Sequence, residues 1–513
     1  FHAYYDKLTN AQIVSTSGCN SIHRFFDTSP LSPSGQYLAV TELPALMQGT
    51  KQNLYSESKV IIIDTNDGSN RVIGATHAWD SQLGAQVQWG STDGELFYNI
   101  LDITNNDNST NKCKASDNDI IQCIDKTSSS KIHSNGKSIR GVIYNMKTNT
   151  KKVLDCPIYH VSNDGRYSVA PNVLKLHHTQ KGYGVRAMEW EPVSNRNLHA
   201  PADDGLYKTD IATGQCSMIV SLRTLAISAG IDIENTPTYG FHSKFSSDGE
   251  LVMFIVRTLE TPVPPRKARV RVQHMFVMHS DGTNARRIIS WASYPFIPKN
   301  CAGMGADGKC PAVSLRDGNH PNWVPGSHKV SLNLQREDPP SREVASMIGG
   351  VLGAVSSALQ GVAAGRAIGK RKQWSIVTLD VDAQPPDFKF AYDTHIKFQQ
   401  RFSDKNGQGV HSSGALRVEV GHPVGSGHPI FHPSGDYIVT DAYTKETAFL
   451  SPPLQWRAEN GNGGGGRELE DQLRPGEVPL RLIQVSTQQE VWLLRVSVLF
   501  VFACIFVFSG ECN

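Results

Sequence analysis

The chain repeats one arrangement of polar and apolar positions six times. In each repeat an aromatic or aliphatic residue precedes a short polar turn that ends in Gly or Ser, and an apolar run follows. The turns and the runs after them are LSPSG with QYLAV, WGSTDG with ELFYN, VSNDG with RYSVA, FSSDG with ELVMFIV, WVPGS with HKVSLNL, and FHPSG with DYIVT. Such turns suit a backbone with positive φ, and the flanking runs suit buried strands. Each repeat therefore predicts a tight β-hairpin.

A second hairpin pattern follows each of the first ones. The segments are VIIIDTNDGSNRVI, GVIYNMKTNTKKVL, LYKTDIATGQCSMIV, HMFVMHSDGTNARRII, QWSIVTLDVDAQ with DFKFAY, and VPLRLIQVSTQQEVWLL. Two hairpins give four strands, which is one blade of a β-propeller. The pattern predicts an all-β chain with six recognisable four-stranded blades, from a seven-bladed family with an incomplete closing blade. A two-sheet sandwich is the alternative, but it does not require regular double hairpins.

The predicted propeller covers residues 1–490, with insertions near 105–137 and 336–372 and an apolar C-terminal tail at 491–513. We expect AYYDKLT and QIVST, near the N-terminus, to form outer strands of the closing blade. The run Val496–Phe508 has 13 residues, which is short for a membrane span of about 20. It is interpreted either as a marginal anchor or as the wrong end of a gene model.

Composition narrows the class of protein further. Hydrophobic residues make up 39% of the chain, charged residues 19%, and the formal net charge is +2. This is an ordinary globular composition, and the absence of a long basic run argues against a nucleic-acid partner. Nine cysteines include the pairs Cys113 with Cys123 and Cys301 with Cys310, which are spaced to close small disulfide loops. With the glycosylation sequon at Asn108, they favour a secreted or extracellular protein.

Three histidines occupy the same position in consecutive repeats. Three residues before the aromatic that opens the turn lie His242, His320 and His428, and the second repeat has Gln86 there. Inner strands of a propeller line its central channel, so these side chains are predicted to converge at one mouth. Neutral imidazoles and an amide oxygen suit a first-row divalent metal. The alternative is that His-Pro, present at His320 and His428, is only a common start of a strand.

The blade-start segments YGFHSKFSSDG, GNHPNWVPGS and GSGHPIFHPSGDYIVTDAY resemble the inner strands of propeller polysaccharide lyases of the oligogalacturonate-lyase type. They resemble ulvan lyases more loosely, and the wider class is that of TolB-like and WD40-like propellers. The resemblance implies a divalent cation, Mn or Zn, held by histidines and a glutamine at the propeller mouth. His242, His320 and His428 match the histidine positions, and Gln86 is the expected amide.

The resemblance predicts a lyase that cleaves acidic oligo- or polysaccharides by β-elimination. We expect His23 to act as the base and Arg24 or Arg257 to neutralise the substrate carboxylate. Gln88 and Tyr443 lie near the same strand ends and are candidate substrate contacts, as is Arg257. The sequence has no G-x-S-x-G, Walker or H-E-x-x-H motif. The competing hypothesis is a non-catalytic TolB-like or WD40-like binding module. Neither hypothesis includes a nucleic-acid partner or firm membrane association.

Overall fold

The fold is built from successive antiparallel sheets, and the prediction of an all-β propeller with four-stranded blades is confirmed. The computed structural model describes residues 21–44, 56–103, 121–122, 133–134, 137–179, 182–185, 200–260, 270–290, 312–337, 372–383, 387–393, 428–440, 477–486 and 489–497. Within them lie six sheets. Five of these have four strands that follow one another in the order of the chain, and the sheet of the second blade has six, because two short extra strands pair with its outer two strands. The chain divides into two compact units, which are described separately.

The first unit comprises Phe1–Ser290, Pro325–His328 and Val498–Asn513, and it holds four blades. Blade 1 consists of β1 (Ser21–Ile22), β2 (Tyr37–Glu42), β3 (Ser58–Asp64) and β4 (Asn70–Thr76). Blade 2 has β5 (Gln88–Trp89), β6 (Glu95–Ile103), β7 (Ile121–Gln122), β8 (His133–Ser134), β9 (Lys137–Asn145) and β10 (Lys151–Val153). Blade 3 has β11 (His160–Val161), β12 (Tyr167–Ala170), β13 (Gly205–Asp210) and β14 (Cys216–Ser221). Blade 4 has β15 (Thr238–Phe245), β16 (Leu251–Glu260), β17 (Val270–His279) and β18 (Arg286–Ser290).

The second unit comprises Trp291–Val324 and Lys329–Ser497 and holds two blades. Blade 5 consists of β19 (Ala312–Trp323), β20 (Lys329–Glu337), β21 (Lys372–Asp380) and β22 (Asp387–Asp393). Blade 6 consists of β23 (Ile430–Phe431), β24 (Tyr437–Thr440), β25 (Glu477–Gln484) and β26 (Gln489–Ser497). Their shared core contains Val324, Ile376, Phe431, Ile438 and Ile483.

Among the described residues of the first unit, two helices join the strands. A 3₁₀ helix spans Val173–His178, and α1 spans Leu222–Ser228. Helix α1 begins where the Ser221 hydroxyl accepts a hydrogen bond of 3.0 Å from the Thr224 amide, which satisfies one of the free N–H groups of the first turn. Leu222 and Leu225 anchor the helix in the core between blades 3 and 4.

Strand β3 shows why the middle strands contain uninterrupted apolar runs. Its side chains alternate between the two faces of blade 1, and both faces are covered. Val60 and Ile62 pack in a core with residues of blade 2, whereas Ile61 and Ile63 pack with Val40 on the other face. Blades 2 and 3 share another core, and blades 3 and 4 share a third. Within each unit, neighbouring blades are therefore stabilised by burying their facing surfaces against each other.

The polar turns adopt the predicted conformation and also connect the blades. Gly35 and Gly249 have φ of +80° and +76°, a region that favours glycine because it has no Cβ. The Ser34 amide and hydroxyl in the turn of blade 1 both donate to the Asp93 carboxylate in the turn of blade 2. The Asn163 side chain of blade 3 donates to the Ser247 carbonyl of blade 4 at 2.8 Å.

One boundary and one insertion differ from the sequence prediction. Strand β26 continues to Ser497, past the expected end of the propeller at 490, because its hairpin partner β25 begins at Glu477, which pairs with Ser497. The insertion near 105–137 is not entirely outside the blade, because β7 pairs in parallel with β10 and β8 pairs with β9. The expected closing-blade strands, most of the apolar run after Val496 and most of the second insertion lie outside the described residues.

A disulfide joins Cys156 to Cys216 in blade 3, across a sequence separation of 60 residues. It ties the segment before β11 to the start of the outer strand β14. The sequence prediction concerned only pairs that close short loops, and so it missed this long-range one. The predicted pairs Cys113 with Cys123 and Cys301 with Cys310 lie outside the described residues.

Candidate functional site

The first unit contains a group of charged and aromatic side chains with almost no exposure to solvent. We call Arg24, Asp27, Tyr159, His242 and Lys244 the central cluster. The segment after β1 supplies Arg24 and Asp27, Tyr159 immediately precedes β11, and the inner strand β15 supplies His242 and Lys244. These positions bring segments of three different blades together, because each blade places its first strand innermost.

An ion pair connects these segments. Lys244 Nζ lies 2.6 Å from Asp27 Oδ2, and the side chains are 2% and 0% exposed. Arg24 Nε lies 3.8 Å from Asp27 Oδ1, and the Arg24 guanidinium carbon lies 4.8 Å from the centre of the Tyr159 ring. Burial raises the pKa of Asp27, but the Lys244 and Arg24 cations outweigh burial and hold that pKa well below its usual range. The carboxylate is therefore ionised, and two cations surround one anion.

Arg24 has buried donors that its neighbours do not satisfy. Among the residues that the structure describes, no hydrogen-bond acceptor lies against its Nη1 or Nη2 atoms, and the side chain is fully buried. A buried guanidinium without acceptors is costly, so this group is well suited to receive an anion. A carboxylate matches the planar fork of the guanidinium in both geometry and charge.

Arg257 adds a further cation to the interior of blade 4. It is 6% exposed and lies on the second strand, β16. Its Nε donates to Gln273 Oε1 at 2.8 Å, and its guanidinium carbon lies 3.4 Å from the centre of the Phe241 ring. The predicted substrate contact at Arg257 is thus a buried side chain that is held by neighbours within its own blade.

His242 is neutral and held by aromatic neighbours. Its Nδ1 shares a hydrogen bond with the Tyr159 hydroxyl, and its ring stacks on Phe25 with centroids 5.6 Å apart. Burial, followed by the Lys244 and Arg257 cations, lowers the pKa of His242 well below its usual value. With Nδ1 engaged, Nε2 is the nitrogen left for a metal ion. That role requires Nδ1 to carry the proton and donate it to the Tyr159 oxygen, as ligating histidines commonly do.

Gln86, at the matching position of blade 2, has two unusual features. Its φ is +61°, and its Oε1 is buried with no hydrogen-bond partner among the described residues. His320, at the same position of blade 5, also has a positive φ, of +56°. Non-glycine residues adopt this conformation rarely, and such strain concentrates at functional positions. The repeat position predicted to bind metal therefore coincides with strained backbone in two blades.

In the second unit, His320 and His428 contact each other. Their ring centroids are 4.2 Å apart, and the planes are inclined by 37°. Two nitrogen ligands of one first-row metal ion lie about 3–4 Å apart, since each bond is about 2.0–2.2 Å long. The pair is close enough to share an ion. Because His242 belongs to the first unit, a single ion bound by all three histidines stays a prediction.

The remaining predicted residues have the following surroundings. His23 is buried, and Nδ1 contacts the Ala39 carbonyl at 3.1 Å while Nε2 contacts Thr28 Oγ1 at 3.3 Å. A carbonyl only accepts, so Nδ1 carries the proton and Nε2 is unprotonated. Burial, despite the hydrogen bond to Ala39, lowers the pKa of His23 to about 4. Tyr443 lies outside the described residues.

Gln88 connects two blades. Its Oε1 accepts from the Val161 amide at 2.9 Å, and its Nε2 lies 3.4 Å from both the Gln86 and the Tyr159 carbonyls. In this geometry the Gln88 amide holds the start of blade 3 against blade 2. Its role as a substrate contact stays a prediction.

The sequence prediction did not include Tyr159 or Lys244 of the central cluster. Lys244 offered a signal, because a lysine in the inner strand β15 must be buried and therefore needs an anionic partner. Tyr159 offered no such signal, because its hydroxyl is recognisable only from its contact with His242.

A second group with metal-binding side chains lies at the turn of blade 4. Ligand atoms of Asp248, Glu250 and His328 lie within 4.8 Å of one another, and both acidic residues are exposed. His328 Nε2 is 2.7 Å from Asp248 Oδ2. A surface hydrogen bond between His328 and Asp248 accounts for this contact, and the sequence prediction did not include these residues.

Comparisons with solved structures return propellers of the two kinds that the sequence resembles. An oligogalacturonate lyase in complex with manganese is 11% identical, with a TM-score of 0.41, over 93% of this chain and 79% of that one. An oligogalacturonate lyase from Vibrio parahaemolyticus is 11% identical, with a TM-score of 0.40, over 94% and 82%. A putative TolB from Agrobacterium tumefaciens is 11% identical, with a TM-score of 0.33, over 86% and 89%.

No protein-family model matches the chain, and no curated protein matches it. Within the described part of the chain, no helix is long and apolar enough to cross a membrane.

Proposed function

We propose that this protein is a metal-dependent lyase that cleaves oligo- or polysaccharides containing uronic acids by β-elimination. The observation that carries the proposal is the fully buried Arg24 guanidinium. It lies against the ring of Tyr159, which contacts His242, and its Nη1 and Nη2 atoms have no acceptor among the described residues. The central cluster has one more cation than anion, so a substrate carboxylate would balance its charge. A neutral ligand would leave that excess uncompensated.

The reaction requires stabilisation of charge on the substrate. A base removes the C5 proton, the electron pair forms the C4–C5 double bond, and the C4–O4 bond breaks. The departing oxygen takes up a proton, so that charge and atoms balance. During proton removal, negative charge develops on the uronate carboxylate, and a guanidinium already placed there lowers the barrier. We assign this role to Arg24 and a supporting electrostatic role to Arg257.

His23 is our candidate for the base. Its Nε2 is unprotonated and contacts only the Thr28 hydroxyl among the described residues. Its low pKa keeps the imidazole neutral near neutral pH and makes it a weaker base than a free imidazole. The C5 proton must therefore be made more acidic by neutralisation of the adjacent carboxylate.

The residues at the aligned repeat position fit a divalent metal, Mn or Zn. His242 is neutral with one ring nitrogen left, Gln86 has an unpartnered oxygen among the described residues, and His320 and His428 contact each other. A bound divalent ion would supply additional positive charge to stabilise the carboxylate as it gains electrons. Gln88 and Tyr443 are the further substrate contacts that we propose.

Metal analysis and a product assay test this function together. Purified protein should contain a stoichiometric divalent ion, and uronic-acid polymers should yield unsaturated products that absorb ultraviolet light. Arg24→Met should lower kcat/KM by at least about 100-fold, and Arg24→Lys checks that the charge matters if the first variant folds poorly. The control is Arg140→Met, which removes a partly exposed arginine paired with Asp102 and Asp155.

The outcome also distinguishes the competing function. Binding of acidic saccharides without unsaturated products would overturn the lyase proposal and favour a non-catalytic binding module. Equal loss of activity in Arg24→Met and Arg140→Met would remove the role assigned to the central cluster.

We propose further that the protein is secreted or extracellular. The disulfide between Cys156 and Cys216 supports this, because such bonds persist in oxidising compartments. Finding the protein in the cytosolic fraction of its native cells, with both thiols reduced, would contradict it.

A further inference from the structure

The first unit contains a cavity of about 610 Å³ at the turn ends of blades 1, 2 and 3. Three stretches form its walls, Asp27 to Gly35, Gln88 to Ser91, and His160 to Asn163. The volume lies within the range of small-molecule binding sites, about 300–1,000 Å³. The cavity is therefore large enough for a small saccharide.

The walls combine hydroxyl and amide groups with apolar surface. Ser29, Ser34, Ser91 and Asn163 are exposed residues of the walls, whereas the apolar surface comes from Leu31, Pro33, Trp89 and Val161. Serine and asparagine exchange hydrogen bonds with hydroxyls, and aliphatic and aromatic side chains cover the C–H faces of a sugar ring. This mixture matches a compound that has many hydroxyls and a weakly polar ring.

His160 is a lining residue that can donate a hydrogen bond. Its Nδ1 accepts a hydrogen bond from the Phe245 amide at 3.3 Å, so Nε2 carries the proton of the neutral ring. Burial, and then the Arg24 cation, lowers the pKa of His160 to about 3, which keeps the ring neutral. His160 can therefore donate one hydrogen bond to a ligand without presenting a charge.

The cavity offers no positive charge to an acidic ligand. Asp27 and His160 are the ionisable residues of its lining. The Asp27 carboxylate is negative, and Lys244 pairs with it at 2.6 Å. Arg24 and Lys244 do not line the cavity. An anion bound in the cavity would find no cation among the described lining residues to balance its charge, which is unfavourable.

We propose that this cavity binds an uncharged sugar unit, separately from the acidic group that the central cluster would receive. Four features of the cavity support such a ligand. They are its size, the hydroxyl and amide groups of its rim, the His160 donor, and the absence of a cation among its described lining residues. The inference does not rest on the lyase proposal, because it concerns equilibrium binding and not turnover.

Calorimetric titration tests the site, with neutral and acidic probes compared on the same protein. The neutral probes are cellobiose, mannobiose, galactobiose and their trimers, and the acidic probes are the galacturonic acid dimer and trimer. At least one neutral probe should bind with a Kd below about 10 mM. Ser91→Trp, which places an indole at the exposed rim, should weaken that binding at least tenfold.

Two further variants make the result specific. Thr92→Trp is the matched control, because Thr92 belongs to the same turn and is exposed but does not line the cavity. His160→Asn keeps an acceptor near the position of Nδ1 but removes the Nε2 donor, and we expect about a tenfold loss of binding. Thermal unfolding of each variant confirms that the fold is retained.

Three results would overturn the inference. One is no heat of binding from any neutral probe at about 10 mM. Another is equal weakening by Ser91→Trp and Thr92→Trp. The third is loss of the acidic probes, and not the neutral ones, in Ser91→Trp. If lyase activity is absent but neutral sugars bind with the expected pattern, only the proposed function fails.

Discussion

The central cluster of the first unit and the histidine pair of the second show how one repeat position acquires different chemistry. His242 is 7% exposed and contacts Tyr159 and Phe25, and Lys244 follows it on the same strand. His320 and His428 are partly exposed and contact each other. The three residues occupy the same place in their blades. The three histidines differ in the segments that surround them. Those segments determine the charge state and the solvent exposure of each imidazole ring.

The ion pair of the central cluster should be the most sensitive point. Asp27→Asn would leave Arg24 and Lys244 buried without their anion, and we expect the free energy of unfolding to fall by about 3–5 kcal/mol. Glu234→Gln is the control, since Glu234 pairs with Arg223 at 3.6 Å and both side chains are exposed, at 72% and 44%. That loss should be below about 1 kcal/mol. Urea denaturation measures both, and equal losses would contradict the distinction between buried and exposed pairs.

Acidification should destabilise the first unit through His23. The folded-state pKa is about 4 and the unfolded value is about 6.5, so the unfolded chain binds more protons between these values. Stability is therefore complete above about pH 6.5 and falls as the pH drops towards 4, by up to about 3 kcal/mol for this residue. Unfolding curves at several pH values should show a shallower dependence in His23→Gln.

The control for the pH experiment is His279→Gln, at an exposed histidine of blade 4. It should leave the wild-type pH dependence in place. An unchanged pH dependence in His23→Gln would show that His23 is not a source of the acid sensitivity.

Tyr159 should act as a positioning residue for His242. Tyr159→Phe removes the hydroxyl that contacts His242 Nδ1, and we expect metal affinity to fall about 10- to 100-fold while the fold is kept. The control is Tyr207→Phe, which removes a hydroxyl that donates to the Asp203 carbonyl at 3.2 Å. Calorimetric titration with Mn²⁺ or Zn²⁺ measures the affinity. An equal effect of the two variants would show that Tyr159 has no special relation to the ion.

The histidine pair should contribute least to stability. In metal-free protein, His320→Ala should change the free energy of unfolding by less than about 1 kcal/mol, as is usual away from buried features. His242→Ala removes a buried ring and should cost about 2–4 kcal/mol. Both variants should lose metal if the predicted site is correct. A larger loss of stability in His320→Ala would mean that the pair is part of the structural framework.

Much of the fold could be predicted from the sequence because blades arise from local patterns. The turn FSSDG and the run ELVMFIV form a hairpin through residues a few positions apart, and Gly249 has the positive φ that its place in the turn requires. Alignment of the repeats also predicted Gln86 and His320 as metal ligands, and the backbone of both residues is strained. Strand ends were harder to predict, because a strand extends only as far as its pairing partner. Strand β26 extends to Ser497 because Ser497 pairs with Glu477 of β25.

The sequence by itself determined the four-stranded repeat, the aligned histidines and the positions of the polar turns, since strand alternation and turn geometry act within a few residues. The tertiary structure alone decided that Lys244 pairs with Asp27, that Tyr159 contacts His242, and that Cys156 joins Cys216. These partners lie on different strands or in different blades, and their distances depend on how the sheets pack. A side chain's residue type is local information, whereas its pKa and its available donors depend on burial and on neighbours that are distant in the chain.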